Sequence, residues 1–279
     1  MNKILLSASL LLCAGFCFAK NAVPAGPFQW GHTLKPLSTT KMSTAEISAY
    51  MPAKKKLFVV GDANVVEVVD LSNPSEAKKI SEVQIPGNAS SVTVHGDLVA
   101  VSMLEVEEWR NGQVQVMRYT DNLEVLGLYT VCSQPDMIKF TPDGKNLLVA
   151  CEGSPSTDFA VDPDGGIGFL TVAKADAESW KTAEFAVAGF DHLDTNRLKN
   201  AGVRAPGNQG FLKSLEPEYI TVSDDSKLAW VSLQENNAMA IIDVPAKKIK
   251  KVFPLGFVDH SRYGFAMDAV SDGTIGIEQ

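Results

Sequence analysis

The chain has 279 residues, 45% of them hydrophobic, and a formal net charge of −8 at pH 7. That acidic balance excludes an electrostatic match to nucleic acid or to an anionic membrane surface. The apolar content is ample for a buried core, but after the first residues no run reaches the roughly 20 apolar residues a spanning helix needs, so the mature chain is expected to carry no membrane span.

The amino terminus reads Met1-Asn2-Lys3, then an apolar run from Ile4 to Phe18, then Ala19-Lys20. One positive charge, a short apolar stretch and a small residue before the polar chain make a secretory signal, residues 1–19, cut after Ala19. Residues 20–44 follow as an N-terminal extension, and a propeller domain is expected over 45–279. Cys13 and Cys17 leave with the signal, so Cys132 and Cys151 remain, in an oxidising compartment that permits a disulfide. A bridge closing a loop of about 20 residues would add roughly 3 kcal/mol. Two separately buried thiols are the alternative at this point.

From residue 46 onward the chain repeats. Leu57-Phe58-Val59-Val60 and Asn64-Val65-Val66-Glu67-Val68-Val69-Asp70 match Trp230-Val231-Ser232-Leu233 and Asn237-Ala238-Met239-Ala240-Ile241-Ile242-Asp243 at one constant offset. Pro135-Asp136-Met137-Ile138-Lys139-Phe140-Thr141 likewise matches Pro217-Glu218-Tyr219-Ile220-Thr221-Val222-Ser223. Each of the latter runs through an acidic turn, Pro142-Asp143-Gly144-Lys145 or Asp224-Asp225-Ser226-Lys227, into an apolar strand, which is the pattern of a β-hairpin. The repeats predict an all-β fold, a β-propeller of four-stranded blades over 46–85, 90–131, 136–187 and 218–255. A short helical insertion is expected near 190–202, capped by Asp194 or Thr195 and ended by Gly202. A fifth blade starts near Gly264 and the sequence then stops, so about four and a fraction blades are expected, part of a seven-bladed or similar ring and incomplete at the C-terminus.

Radial repetition brings equivalent positions to one rim. The residues after each blade's second strand, Asp62 with Asn64, Glu105, Glu152, and Glu235 with Asn236, form a candidate ring of oxygen ligands for calcium. The loop from Glu152 to Gly166 adds Asp158, Asp162 and Asp164 but lacks the spacing of an EF-hand. Solvated loop acids on an acidic protein are the plainer reading. His32, His95, His192 and His260 show no paired spacing, and no nucleophile elbow, phosphate loop or dinucleotide fingerprint occurs. Asp259-His260-Ser261 contains the residue types of a hydrolase triad, but neighbours in sequence cannot adopt the relay geometry.

Several runs resemble the choice-of-anchor I proteins: Ala45-Glu46-Ile47-Ser48-Ala49-Tyr50, Gln134-Pro135-Asp136-Met137, Ala150-Cys151-Glu152-Gly153, Leu215-Glu216-Pro217-Glu218-Tyr219-Ile220 and Leu233-Gln234-Glu235-Asn236-Asn237-Ala238. The resemblance spans about residue 45 to the end. It implies a YVTN- or WD40-like propeller, related to mesenchyme-specific cell-surface glycoproteins, that is exported to the periplasm, the extracellular space or the cell surface. It implies no catalytic residues. The function expected is therefore an exported binding or scaffold protein taking a protein or glycan ligand on one face. The alternative is a calcium-dependent, phosphatase-like hydrolase built on the rim carboxylates.

Overall fold

The structure, a computed structural model, describes residues 35–157, 160–205 and 210–259. The signal segment, Asp158, most of the 206–210 loop and the expected start of a fifth blade lie outside the described residues.

Among the described residues the chain forms four antiparallel sheets of four strands, each built in chain order. The first holds β1 (Ile47–Met51), β2 (Lys56–Val60), β3 (Val65–Asp70) and β4 (Lys78–Gln84). The second holds β5 (Asn88–His95), β6 (Leu98–Leu104), β7 (Asn111–Tyr119) and β8 (Leu123–Ser133). The third holds β9 (Pro135–Phe140), β10 (Asn146–Cys151), β11 (Gly166–Thr171) and β12 (Glu184–Gly189), and the fourth β13 (Pro217–Val222), β14 (Leu228–Leu233), β15 (Ala238–Asp243) and β16 (Lys248–Pro254). These are propeller blades, as the repeats predict.

The middle strands explain why the blades stack. In β10, Leu147, Val149 and Cys151 enter the core shared with the second blade, while Leu148 and Ala150 enter the core shared with the fourth. In β6, Leu98 and Ala100 face one neighbour while Val99, Val101 and Met103 face the other. Side chains alternate across a strand, so a continuous apolar run is stable only where both faces are covered. The first strands of successive sheets, β1, β5, β9 and β13, come closest to one another.

The repeated acidic turns are chemically the same device. Asp143 Oδ1 accepts from Thr141 Oγ1 at 2.6 Å and from Lys145 N at 3.1 Å, and Gly144 turns the chain at φ 68°. Asp225 Oδ1 accepts from Ser223 Oγ at 2.8 Å and Lys227 N at 3.1 Å, with Ser226 at φ 60°. The two turns also touch, since Asp143 N donates to Ser226 Oγ at 2.9 Å.

The insertion between the third and fourth blades carries α1 (Thr195–Ala201). Asp194 is its cap, accepting from Arg197 N at 3.1 Å, and Gly202 ends it in the left-handed region at φ 96°. Phe190, Leu198, Val203, Phe211 and Leu215 of this segment are buried in the core between the third and fourth blades. The segment is therefore packed into the fold, and it delivers Glu216 and Pro217 to the start of β13.

Ahead of β1 the chain crosses the first blade as a strap. Ser38 Oγ donates to Pro74 O at 2.7 Å, Thr40 Oγ1 to Ala77 O at 2.8 Å, and Ser43 N to both carboxylate oxygens of Glu67 at 3.1 and 3.0 Å. Met42 and Ala45 pack on Leu57, Val59 and Val69, the face of the first blade that points away from the second.

Candidate functional site

The site grows from an irregularity of the first-strand pairing, which also slips in the second blade, between Ala89 and Ser91, but which in the third and fourth blades goes with a proline. Pro135 and Pro217 open the inner strands β9 and β13, and a proline has no N–H for the ladder. The pairing of β9 with β10 slips between Ala150 and Cys151, and that of β13 with β14 slips between Pro217 and Ile220. In the second slip, Tyr219 N donates to Ser232 Oγ at 3.0 Å. Bulges of this kind re-aim side chains, and the residue after each proline is a carboxylate, Asp136 or Glu218.

Opposite these strand starts stand the residues just past the ends of the second strands. Glu152 N donates to Gln134 O at 3.1 Å, and Gln134 Nε2 donates to Glu152 Oε2 at 2.5 Å. A disulfide joins Cys132, at the end of β8, to Cys151, at the end of β10, with 5.7 Å between their Cα atoms. It ties together the segments that carry Gln134 and Glu152. In the fourth blade, Asn236 is fully buried and donates from Nδ2 to Arg204 O at 3.0 Å and to Ser214 O, while its Oδ1 accepts from Glu216 N at 3.2 Å.

Five carboxylates, Asp136, Glu152, Glu216, Glu218 and Glu235, are linked here by their charges, each acting on or acted on by at least one other. Burial pushes the Glu152 carboxyl up to about 8, with the charges of Asp136, Glu216, Glu235 and Glu108 adding to it. Glu218 is raised first by burial, then by its hydrogen bond to Glu235 and the charges of Glu235, Glu152 and Asp136. Burial and then Glu235 raise Asp136, and burial, Glu235 and Asp162 raise Glu216. No lysine or arginine among the described residues pairs with any of the five, and Glu235 Oε2 is buried without a hydrogen-bond partner among them. Like charges this close cannot all ionise, so near neutral pH the cluster holds protons that a cation could displace.

The expected ring assembles only in part. Glu152 and Glu235 come together. Asp62 and Glu105, on the first and second blades, are exposed and are not among the charges that act on the cluster. Asp164 is drawn to Lys213 Nζ at 2.9 Å, and the same ammonium bonds Asp162 O at 2.5 Å, so this loop is pinned by a lysine. Asp158 lies outside the described residues. Among the described residues no three of His, Cys, Asp and Glu stand in an arrangement that would hold a metal ion. Of the three carboxylates that the end-of-strand pattern missed, Asp136 and Glu218 were signalled by the repeat, which places an acid after the proline in both copies, whereas Glu216 has Gln134 as its counterpart and carries no such signal.

A family model described as the choice-of-anchor I domain matches residues 46–279. Among solved structures, the periplasmic gluconolactonase PpgL of Pseudomonas aeruginosa is similar in fold. It is 15% identical with a TM-score of 0.54, over 81% of this chain and 61% of that one. A functionally unknown protein from Desulfotomaculum acetoxidans is 11% identical with a TM-score of 0.50, over 74% of this chain and 55% of that one. This chain spans little more than half the length of these two structures. No curated protein matches it.

Proposed function

The chain belongs to the choice-of-anchor I family, and from that premise we propose that it is an exported β-propeller binding protein whose ligand sits on the rim carrying Asp136, Glu152, Glu216, Glu218 and Glu235. The observation that carries this reading is that five carboxylates are held together with no basic side chain to neutralise them, although every one of them would be better solvated apart. Perturbed acids gathered at one end of a scaffold are the ordinary signature of a functional site. Export is supported by the apolar amino-terminal run and by the Cys132–Cys151 disulfide, which persists only in an oxidising compartment.

The enzymatic alternative is a hydrolase in which the same carboxylates close on calcium and polarise a phosphoryl oxygen. It needs at least three ligands on one ion, and the described carboxylates would have to rearrange to supply them.

Calcium titration of residues 20–279 by calorimetry, with thermal unfolding in calcium and in chelator, tests both. A ligand specific to the folded state raises its stability. Calcium binding that Glu152→Gln abolishes would favour the metal-centred reading and call for a phosphoesterase assay. No response to calcium, together with binding of a cationic peptide that Glu152→Gln weakens, is the outcome expected of the binding propeller. Indifference to both would remove the rim as a site. Export is checked by the mass of the chain recovered outside the cytoplasm, which should begin at Lys20.

A further inference from the structure

Between the inner strands lies a cavity of about 400 Å³ lined by β1, β5, β9 and β13. Its size is that of a small-molecule site rather than a protein-docking surface. Each inner strand is paired with another strand on one side only; on the other side Pro135 O, Ile138 N and Ile220 N are taken by Ser90, Ser91 and Met137 of the neighbouring blade, and the remaining edge groups are left to the cavity. Its wall mixes aliphatic side chains with polar and aromatic ones, notably Ser48, Tyr50, Thr93, Asp136, Lys139 and Tyr219. Tyr50 is 45% exposed and Tyr219 is 64% exposed, although each has a flat ring that burial would favour. Among the described residues, no hydrogen bond engages the hydroxyls of Ser48, Tyr50 or Tyr219 or the ammonium of Lys139.

Charge gives the cavity a direction. Asp136 is the second residue of β9 and belongs to the carboxylate cluster, whereas Lys139 lies three residues on, about 10 Å further along the strand. An anion would be repelled at the Asp136 end, and a cation at the Lys139 end. A wholly apolar ligand would strand the free strand edges and hydroxyls without partners.

We propose that this cavity binds an amino sugar, with its ring against Tyr50 or Tyr219, its hydroxyls on the strand edges and on Ser48 and Thr93, and its ammonium on Asp136. The volume accommodates one or two sugar rings. Hydroxyls alternate donor and acceptor roles as the free edges do, and the ammonium meets the one end of the cavity where negative charge is concentrated. This inference deepens the binding-propeller reading and rests on it.

The test is calorimetric titration of residues 20–279 with glucosamine, N-acetylglucosamine and spermidine, with calcium as a fourth probe of the rim. Glucosamine is expected to bind with a dissociation constant below about 1 mM. Acetylation of its nitrogen, Asp136→Asn and Tyr219→Ala should each weaken it by about tenfold or more. Asp136→Asn keeps the side-chain size and relieves repulsion, and unfolding at or above the parent temperature shows that the variant is folded. Equal binding of glucosamine and its acetylated form would overturn the proposal, because the ammonium would then contribute nothing. So would equal binding of spermidine and glucosamine, which would leave a rim that reads charge without reading a sugar. Heat with spermidine or calcium but none with glucosamine overturns the sugar-binding cavity and spares the rim, and no heat with any probe overturns both.

Discussion

Gln134 holds Glu152 at two points, its carbonyl accepting from Glu152 N at 3.1 Å while its side-chain amide donates to Glu152 Oε2 at 2.5 Å. To do so it adopts φ 43°, a left-handed conformation that costs a residue with a β-carbon of order 1 kcal/mol. The amide supplies a hydrogen bond that favours the ionised carboxylate, yet burial and four neighbouring acids still raise Glu152 to about 8. Burial and charge repulsion in the cluster therefore outweigh the one contact that opposes them.

That imbalance fixes the sign of a pH dependence. Unfolded, a glutamate titrates near 4.3; folded, Glu152 holds its proton up to about 8. Between those values the folded state binds more protons, so the contribution of Glu152 is fully present below about pH 4 and is lost as pH rises to about 8. Glu218 is raised for the same reasons and acts in the same direction. Thermal unfolding is expected to fall by a few degrees, roughly 3 °C or more, between pH 6 and pH 9. In Glu152→Gln/Glu218→Gln the decline should flatten; an unchanged slope would place the titrating groups elsewhere.

Glu67 has the opposite sign. Its carboxylate is fully buried, and burial alone would raise it, but Lys79 Nζ at 2.6 Å and the N–H and hydroxyl of Ser43 together lower it. Its contribution is therefore present above about pH 4.3 and is lost as pH falls further. Glu67→Ala removes the anchor of the strap and leaves Lys79 with Glu82 alone. A loss of about 3 kcal/mol is expected, together with new proteolytic cleavage within residues 38–45, because Ser43 loses its acceptor. A stable variant whose strap stays protected would show that Met42 and Ala45 hold the strap by packing alone.

Much of the fold was legible because both levels of the repeat are local. The matched runs Pro135–Thr141 and Pro217–Ser223 became the inner strands β9 and β13, and the acidic turns after them became the same hydrogen-bonded device in both blades. The candidate site was legible only in half. Glu152 and Glu235 lie just past the end of a second strand, a position the repeat marks in every blade, but Asp136 and Glu218 come from the starts of the first strands β9 and β13, and Glu216 from the residue before β13. The repeat marks Asp136 and Glu218 beside their prolines, but that they meet Glu152 and Glu235 follows from how the strands pair rather than from sequence order. Asp62 and Glu105 occupy the same place in their own blades, but those blades begin their inner strands with Ile47 and Asn88 rather than with a proline followed by an acid.

The disulfide should matter to the site as well as to stability. Cys132 and Cys151 close a loop with a sequence separation of 19, for which constraint of the unfolded chain contributes about 3 kcal/mol. Cys132→Ala/Cys151→Ala is expected to lose about that amount in denaturant titration. It should also lower the apparent proton affinity of Glu152, seen as a shallower pH dependence, because Gln134 and Glu152 are no longer clamped. Loss of stability with an unaltered pH slope would show that the hairpin alone holds the acids in place.

Asn236 offers the sharpest test of how the fourth blade presents its acids. Its side chain is fully buried and reaches two stretches of the insertion, one through Arg204 O and the other through Ser214 O and Glu216 N. Asn236→Ala leaves Ser214 O buried without its donor, at about 1 to 3 kcal/mol, and removes the part-buried bonds to Arg204 O and Glu216 N. Asn236→Asp keeps the acceptor for Glu216 N but replaces both donors with a buried oxygen beside Glu235 and Glu216, and is expected to be the worse of the two at pH 8. At pH 5, where the new carboxyl can hold a proton and donate once more, the order should narrow or reverse. Equal destabilisation at both pH values would mean that Asn236 fills space rather than ordering the segment that carries Glu216 and Glu218 to the rim.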